Sequence, residues 1–532
     1  MFISYYFITF LLLLFFLYYV VPKKCQWMVL LIANFIFYCF AGRWYWAFLL
    51  VSASSLYFSG ILLNKQEEKR KQFEAGEKNR GIPAALSKEE RKQFKKKTEK
   101  KRKAVLLCCL FFNLGILAVT KYTNFAIYSI HELFHMGGEF QGIDLIVPLG
   151  ISFYTFQGIA YLLDVYWNRC EPQKNFLKFL LFLSFFPQLI QGPISRYPDL
   201  SKTLYQAHKF DIVQVRNGVE RILWGYFKKL VIADRIAPAA AMIASDTGHY
   251  TGWFVFLGMM FWSIQLYADF TGGIDIVIGI ANVLGIEITE NFERPFFSKN
   301  IAEYWRRWHI TMGSWFRDYV FYPMSISRPL KKLTGFVKKH ISNKAARRVS
   351  IYISTIVLWF ATGIWHGAAW FYVVWGLANG IIIILSEELK PLYAKFHRRF
   401  GALTAGTGYK VFQVLRTFLL MSCLRMFDIY GSVKTTFLQF FHMFTQIRPK
   451  QFQFCELLDM GLGRADYIIV LAGTAVMFLV SYWGRKTRFQ KRIEKKPYIV
   501  HFGLILILFF SILLLGQYGI GYDVKQFIYN QF

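Results

Sequence analysis

Two histidines, His309 and His366, stand among tryptophan, arginine and tyrosine in a chain that is otherwise mostly hydrocarbon-like. The first ends the run Tyr304-Trp305-Arg306-Arg307-Trp308-His309, and the second lies in Trp365-His366-Gly367. A neutral imidazole titrates close to the working pH, so it can take a proton from an attacking hydroxyl and hand one to a leaving group. Such help is worth about 10² to 10⁴ in rate, or roughly 3 to 5 kcal/mol. No nucleophile elbow or Ser-His-Asp motif accompanies the pair, which favours direct transfer assisted by histidine over a covalent serine route. Taken alone, each histidine is more often a structural residue than a catalytic one. An interfacial segment accounts for the Trp and Arg residues around His309, since both anchor at a membrane surface, but it does not account for the histidine.

Polar groups interrupt apolar sequence in three further patches. Residues 147–169 open with Pro148 and Gly150 and carry Gln157 and Asp164 among aromatic residues. Residues 185–200 contain Pro187, Gly192 and Pro193, which interrupt a helix and free its backbone groups, as suits a re-entrant element lining a polar cavity. A kinked, packed helix accounts for both patches equally well. Residues 265–296 hold Asp269 and Asp275 beside Gly272, Gly273 and Gly279, followed by Glu290, Asn291 and Phe292. Intramembrane acids turn to the bundle interior and take a polar partner. An arginine of the Trp305–Trp308 segment is the expected partner, and a structural ion pair explains the acids at least as well as chemistry does.

Composition sets the elements that must position these groups. With 55% hydrophobic and 19% aromatic residues over 532 positions, and mean hydropathy +0.33, the chain is too apolar for a soluble globular protein and belongs in a bilayer. Apolar runs of about 17 to 25 residues recur, each enough to cross about 30 Å of hydrocarbon as a helix. Short alternating segments of the β-barrel kind are not seen. The expected fold is all-α, a polytopic membrane protein with about 11 to 12 transmembrane helices plus re-entrant or interfacial helices. The runs fall at residues 2–21, 27–41, 44–63, 104–131, 146–167, 253–284, 350–365, 370–386, 411–427, 468–482 and 500–519. The first lacks a basic leading region and a small-residue cleavage site, so it reads as a span and not as a signal peptide. Residues 176–190 and 219–233 are shorter or more charged, and one of them must cross for the count to be even.

The formal charge of +31 does not point to nucleic acid, because the positives sit in discrete loops: residues 65–103, 328–348, 395–399 and 485–496. These loops are cytoplasmic under the positive-inside rule, which leaves residues 135–144, 433–466 and both termini outside. Within 65–103, two charged blocks flank Gly81-Ile82-Pro83 and predict a solvated helical hairpin near anionic headgroups. A topology-setting solvated face is the plainer reading of it, and a docking surface for an acidic carrier the sharper one. The chain divides into N-terminal spans (1–63), the basic loop (64–103), a core (104–430) and a C-terminal part (431–532), the last an extracytoplasmic loop followed by further spans. Its seven cysteines lack metal-type spacing, so no metal is expected. No P-loop, Rossmann fingerprint or repeat is present, and ATP-driven transport has no visible engine.

Tyr267-Ala268-Asp269-Phe270-Thr271-Gly272, Glu290-Asn291-Phe292, the run ending at His309, Trp315-Phe316-Arg317-Asp318-Tyr319 and Trp365-His366-Gly367 together resemble the motifs of the membrane-bound O-acyltransferases, over residues 1–430. Residues 147–157 and 185–196 look like the bacterial branch, most similar to the alginate O-acetyltransferase type and next to the teichoic acid D-alanyl transferases. The resemblance implies helices around a tunnel, with His366 as the essential histidine inside it and His309 nearer a cytoplasmic entrance. Trp305, Arg306 and Arg307 then shape that entrance, while Asp269, Asn291 and Gln157 are tunnel residues. It further implies a thioester donor, acetyl-CoA or an acyl carrier protein, drawn to the basic side, and no permanently bound cofactor. A polysaccharide acceptor, an extracytoplasmic esterase-like partner protein and a bacterial plasma membrane complete the picture. Two departures bear on the acceptor: Thr271-Gly272-Gly273 stands where alginate-type relatives carry a Ser-Gly-Tyr turn, and Ser325 to Leu333 replaces their Gly-Gly-Asn-Arg-like turn.

The function expected from the sequence is therefore acyl transfer, with acetyl first, to hydroxyls of a cell-surface or secreted polysaccharide. D-alanyl transfer, lipid O-acylation, a transporter or flippase with intramembrane acids along its path, and a scaffold for envelope synthesis are the alternatives. A transporter predicts flux without ester formation, and an inverted repeat that the sequence does not display.

Overall fold

The computed structural model describes residues 3–42, 44–79, 88–136, 141–484 and 489–519, and among these the regular elements are all helical. Eight helices are long and apolar enough to cross a membrane: Lys23–Ala41, Tyr45–Phe73, Glu89–Leu133, Trp253–Val283, Asn343–His366, Trp370–Glu388, Arg464–Trp483 and Tyr498–Leu515. Tyr5–Val20 is apolar but shorter. The chain is a multi-pass, all-α membrane protein. Of the expected runs outside these eight, residues 146–167 become a short enclosed helix. Ile151–Tyr166, 16 residues long, is buried along almost its whole length.

The second patch breaks as its composition suggests: Phe186–Gln191, with Pro187 in its first turn, ends at Gly192 before Tyr197–Leu204, and a further break at Phe185 separates it from Phe176–Ser184. The break at Phe185 exposes backbone groups inside the protein, where each needs a partner. Asn34 supplies it: its Oδ1 accepts from the Phe186 N–H at 3.0 Å and its Nδ2 donates to Ser184 Oγ at 3.0 Å.

Trp253–Val283 is the axis of the molecule, 31 residues or about 46 Å of helix. Against it lies a continuous helical run from Ile212 to Ser245, wound as a wider π-turn at Phe227–Ala233. The two backbones nearly touch. A Cβ on Gly225 would lie 2.6 Å from the Gly272 carbonyl oxygen, and one on Gly218 would lie 2.8 Å from that of Gly279. Small residues permit this approach in the absence of a hydrophobic drive between helices.

The π-turn carries the partners of the intramembrane acids. Lys229 Nζ meets Asp269 at 2.6 Å and Asp234 at 2.8 Å. Lys228 Nζ meets Asp275 at 2.6 Å and Thr271 Oγ1 at 2.9 Å. Arg221 grips both oxygens of Glu290 at 2.7 Å and reaches Asp275 at 2.9 Å. The expected arginine of the Trp305–Trp308 segment is not the partner: Arg307 pairs with Glu303 at 2.6 Å and Arg306 is exposed.

The basic segment folds as two arms continuous with membrane helices, Tyr45–Asn79 and Lys88–Leu133. Phe73 stacks on Phe94 at 4.2 Å between ring centroids, and Arg102 pairs with Glu67 at 2.7 Å, so the arms form the expected hairpin. Its Gly81-Ile82-Pro83 break lies outside the described residues. The C-terminal helices Arg464–Trp483 and Tyr498–Leu515 return to pack on the π-turn and on Ile212–Tyr226.

Candidate active site

His309 occupies a turn between two short helices, Ile301–Arg307 and Ile310–Phe316. Asn300 caps the first, its side chain accepting from the Glu303 N–H at 2.8 Å. At His309 the backbone turns left-handed, with φ of 48°, a conformation that costs a side-chain-bearing residue about 1 to 3 kcal/mol and persists only where its surroundings impose it. Asn291 imposes it. Its carbonyl accepts from the Ile310 N–H at 2.9 Å, and its Oδ1 accepts from the Thr311 N–H at 3.1 Å and from the Thr311 hydroxyl at 2.9 Å.

The same bonds fix the histidine's tautomer. A backbone N–H can only donate, so the Asn291 atom facing Thr311 is the oxygen. His309 Nδ1, 3.2 Å from that oxygen, is then the donating nitrogen, and Nε2 keeps the lone pair. Thr311 Oγ1 also accepts from the Ile194 N–H at 3.0 Å, which ties the broken second patch to the histidine turn.

His366 is the last residue of Asn343–His366. A helix ends with carbonyls that lack internal partners, and two of them are taken here. Tyr122 Oη donates to the Ile364 oxygen at 2.8 Å and Lys121 Nζ to the Trp365 oxygen at 3.1 Å. A cation at this end also matches the helix dipole. After Gly367 the chain reverses into Trp370–Glu388, whose backbone presses against the first helix: a Cβ on Gly376 would meet the Trp359 oxygen at 2.4 Å. This close crossing brings Trp375 onto His366, with ring centroids 4.7 Å apart.

The two histidines meet at one indole. Trp365 lies 5.9 Å from the His309 ring and 5.1 Å from that of His366, between centroids. Phe270 of the axial helix faces His309 at 5.0 Å, and Phe156 stacks on Trp315 at 4.0 Å and on Trp365 at 5.7 Å. Both imidazoles are buried. Arg425 completes the enclosure, its guanidinium carbon 4.7 Å from the Trp308 ring and 5.7 Å from that of Trp375. Its charge acts on both imidazoles. A proton acceptor, a second histidine and a fixed cation thus share an aromatic-walled room inside a membrane protein. This is an arrangement for moving a proton beside a polarised carbonyl.

Of the residues singled out in the sequence, His309, His366, Trp305 and Asn291 gather here. Trp305 donates from Nε1 to Asn379 Oδ1 at 3.1 Å and packs edge-on against Trp375. Gln157 flanks the room and bonds Gln188 at 3.0 Å, while Asp269 belongs to the Lys229 pair. Sequence reasoning passed over Arg425, Trp375 and Lys121. A single cation inside an apolar run was the available signal for Arg425 and Lys121.

A cavity of about 860 Å³ lies beside this room and not in it. It opens between the Arg221, Asp275 and Glu290 assembly and the C-terminal helices at Val476, Leu504 and Leu508. Tyr267 and Phe292 line it, and both rings also contact Trp308, so they form the partition between cavity and room.

Residues 173–429 match the model of the membrane-bound O-acyltransferase family. The chain is 32% identical over 283 residues to a probable alginate O-acetylase of Azotobacter vinelandii, covering 52% of each protein. It is 30% identical over 315 residues to a peptidoglycan O-acetyltransferase of Helicobacter pylori, covering 54% of this chain and 55% of that one. A teichoic acid D-alanyltransferase of Bacillus subtilis is 30% identical over 279 residues, 52% of this chain and 67% of its own length. The matched region spans about half the length of the alginate and peptidoglycan relatives. Its histidine turn, its axial helix and the helix ending at His366 all fall inside the family match, and the chain belongs to the membrane-bound O-acyltransferase family.

Proposed function

We propose that this protein transfers an acyl group, acetyl in the first instance, from a thioester donor to hydroxyls of a cell-surface or secreted polysaccharide. The observation that carries the reading is the shared indole: two imidazoles from separate segments, both in ring contact with Trp365 and both buried. His366 is the base that takes the proton of the attacking hydroxyl. His309, whose Nε2 holds the lone pair, supports the donor side of the room, and Trp305 packs on Trp375. Acetyl-CoA and an acyl carrier protein are both acidic donors suited to the basic loops, which the positive-inside rule assigns to the cytoplasm. Acetyl is favoured by the named activities of the alginate and peptidoglycan relatives. An extracytoplasmic esterase-like partner that finishes the transfer, a bacterial plasma membrane and outward-facing termini belong to the same reading.

Alanyl transfer is the second reading, favoured by the D-alanyltransferase relative. One measurement separates them: the base-labile acids released from surface polymers of cells making the intact protein or His366→Ala at matched membrane levels. Loss of acetate with the variant is the expected result. Loss of alanine instead moves the assignment to D-alanyl transfer, and an ester lost only from the lipid extract makes a lipid the acceptor. No change in any of them overturns the enzymatic reading in favour of a transporter or scaffold.

A further inference from the structure

We infer that Arg425 is the electrophilic group of the transfer, holding the oxyanion that forms when a hydroxyl adds to the donor's thioester carbonyl. The inference rests on the acyl-transfer reading above. A buried guanidinium is expensive at membrane depth, so it is expected to be fully paired. Arg221 meets that expectation: its Nε and both terminal nitrogens donate to Asp275 and Glu290. Arg425 does not. Its Nη1 pairs with Asp428 at 3.1 Å and the Tyr304 hydroxyl neighbours the guanidinium, while Nε and Nη2 are buried and make no hydrogen bond among the described residues. The residue itself is 93% buried, its relative exposure being 7%. Leaving a buried donor unmet is costly, and such an expense points to a ligand.

The placement identifies the ligand's charge. Trp308, the neighbour of His309 in sequence, and Trp375, in ring contact with His366, both neighbour the guanidinium. Cation–π contacts hold such a group without using its N–H bonds. What remains is two donors on a fixed positive edge whose charge reaches both histidines. In the transfer, the acceptor oxygen bonds to the thioester carbon as its proton passes to His366, and the carbonyl π electrons move onto oxygen. That oxyanion is the acceptor Nε and Nη2 lack. When the carbonyl re-forms, the C–S bond breaks, and the departing thiolate takes the proton back from His366. Charge, atoms and protons balance with no further reactant.

The test uses membranes carrying the full chain, intact or as Arg425→Gln, Arg425→Lys or His366→Ala, given labelled acetyl-CoA. Label in base-labile surface-polymer ester is counted per folded molecule, with folding followed by the thermal midpoint in detergent. Removal of one oxyanion donor lowers kcat by about 10² to 10³, so Arg425→Gln is expected to fall in that range. Arg425→Lys, which keeps charge but loses the planar fork, should lose about tenfold or more. The KM for acetyl-CoA should stay nearly constant, since an interaction made only in the transition state leaves it so. If Arg425→Gln does not fold, Arg425→Lys carries the test. A rate per folded molecule equal to the intact protein in either variant, or a raised KM with kcat unchanged, overturns the inference. Equal label from the intact chain and His366→Ala is a different failure: it removes the acyl-transfer reading, and the role of Arg425 with it.

Discussion

Two of the charge assemblies buried in this protein are built on opposite principles. Around the π-turn, Arg221, Lys228 and Lys229 face Asp234, Asp269, Asp275 and Glu290, and every cation meets a carboxylate within 2.9 Å. Around the histidines, one arginine faces one aspartate and is otherwise surrounded by neutral aromatic side chains, Trp308, Trp375 and Tyr304. The first assembly has used its electrostatic capacity on itself, and what it achieves is to join two helices that already touch at glycine. The second has capacity left over. Buried cations that are fully paired hold a fold, whereas a buried cation with donors left open can stabilise something that arrives later.

If that contrast is right, the two assemblies fail differently when broken. His366→Gln should lower transfer by about 10² to 10⁴ while the thermal midpoint in detergent barely moves; a matching collapse of the midpoint would erase the distinction. Lys229→Met strands Asp269 and should destabilise the protein by about 3 to 5 kcal/mol, seen as lost folded protein by size-exclusion chromatography. Transfer per folded molecule should be unchanged, and a loss there would draw the π-turn into the chemistry. Gly376→Ala sets a methyl 2.4 Å from a backbone oxygen and should cost about 1 to 3 kcal/mol as an overpacked site. Because that crossing brings Trp375 to His366, it should lower both midpoint and transfer. Phe73→Ala removes only the hairpin stack, worth about 0.5 to 1.5 kcal/mol, and should leave transfer by the remaining folded protein intact when acetyl-CoA is the donor.

The histidine room was more legible in the sequence than the charge assembly. His309 and His366 stand out because imidazole has no business in an apolar run without a partner or a task, and Asn291 lies in a polar interruption of the same kind. The partners of Asp269 and Asp275 were misread for a definite reason. On a regular helix, successive residues point about 100° apart, so Lys228-Lys229 in an apolar stretch looks like an interfacial pair with one member facing water. The π-turn buries both, and a local widening of that sort leaves no mark on hydrophobic periodicity. Arg425 was hidden by position: a lone arginine near the end of an apolar run reads as a snorkelling anchor. Run length likewise cannot separate a helix facing lipid from one, such as Ile151–Tyr166, enclosed by protein.

The helix Lys88–Leu133 begins in the basic hairpin and, without interruption, carries Lys121 and Tyr122 to the carbonyls that end the His366 helix. Its 46 residues make a rod of about 69 Å, braced near the hairpin by Arg102 on Glu67 and on the Tyr166 oxygen. Mechanically, the hairpin and the histidine are two ends of one strut. A load applied along the charged end is delivered at His366 as a pull on its last helical turn, with no hinge between to absorb it.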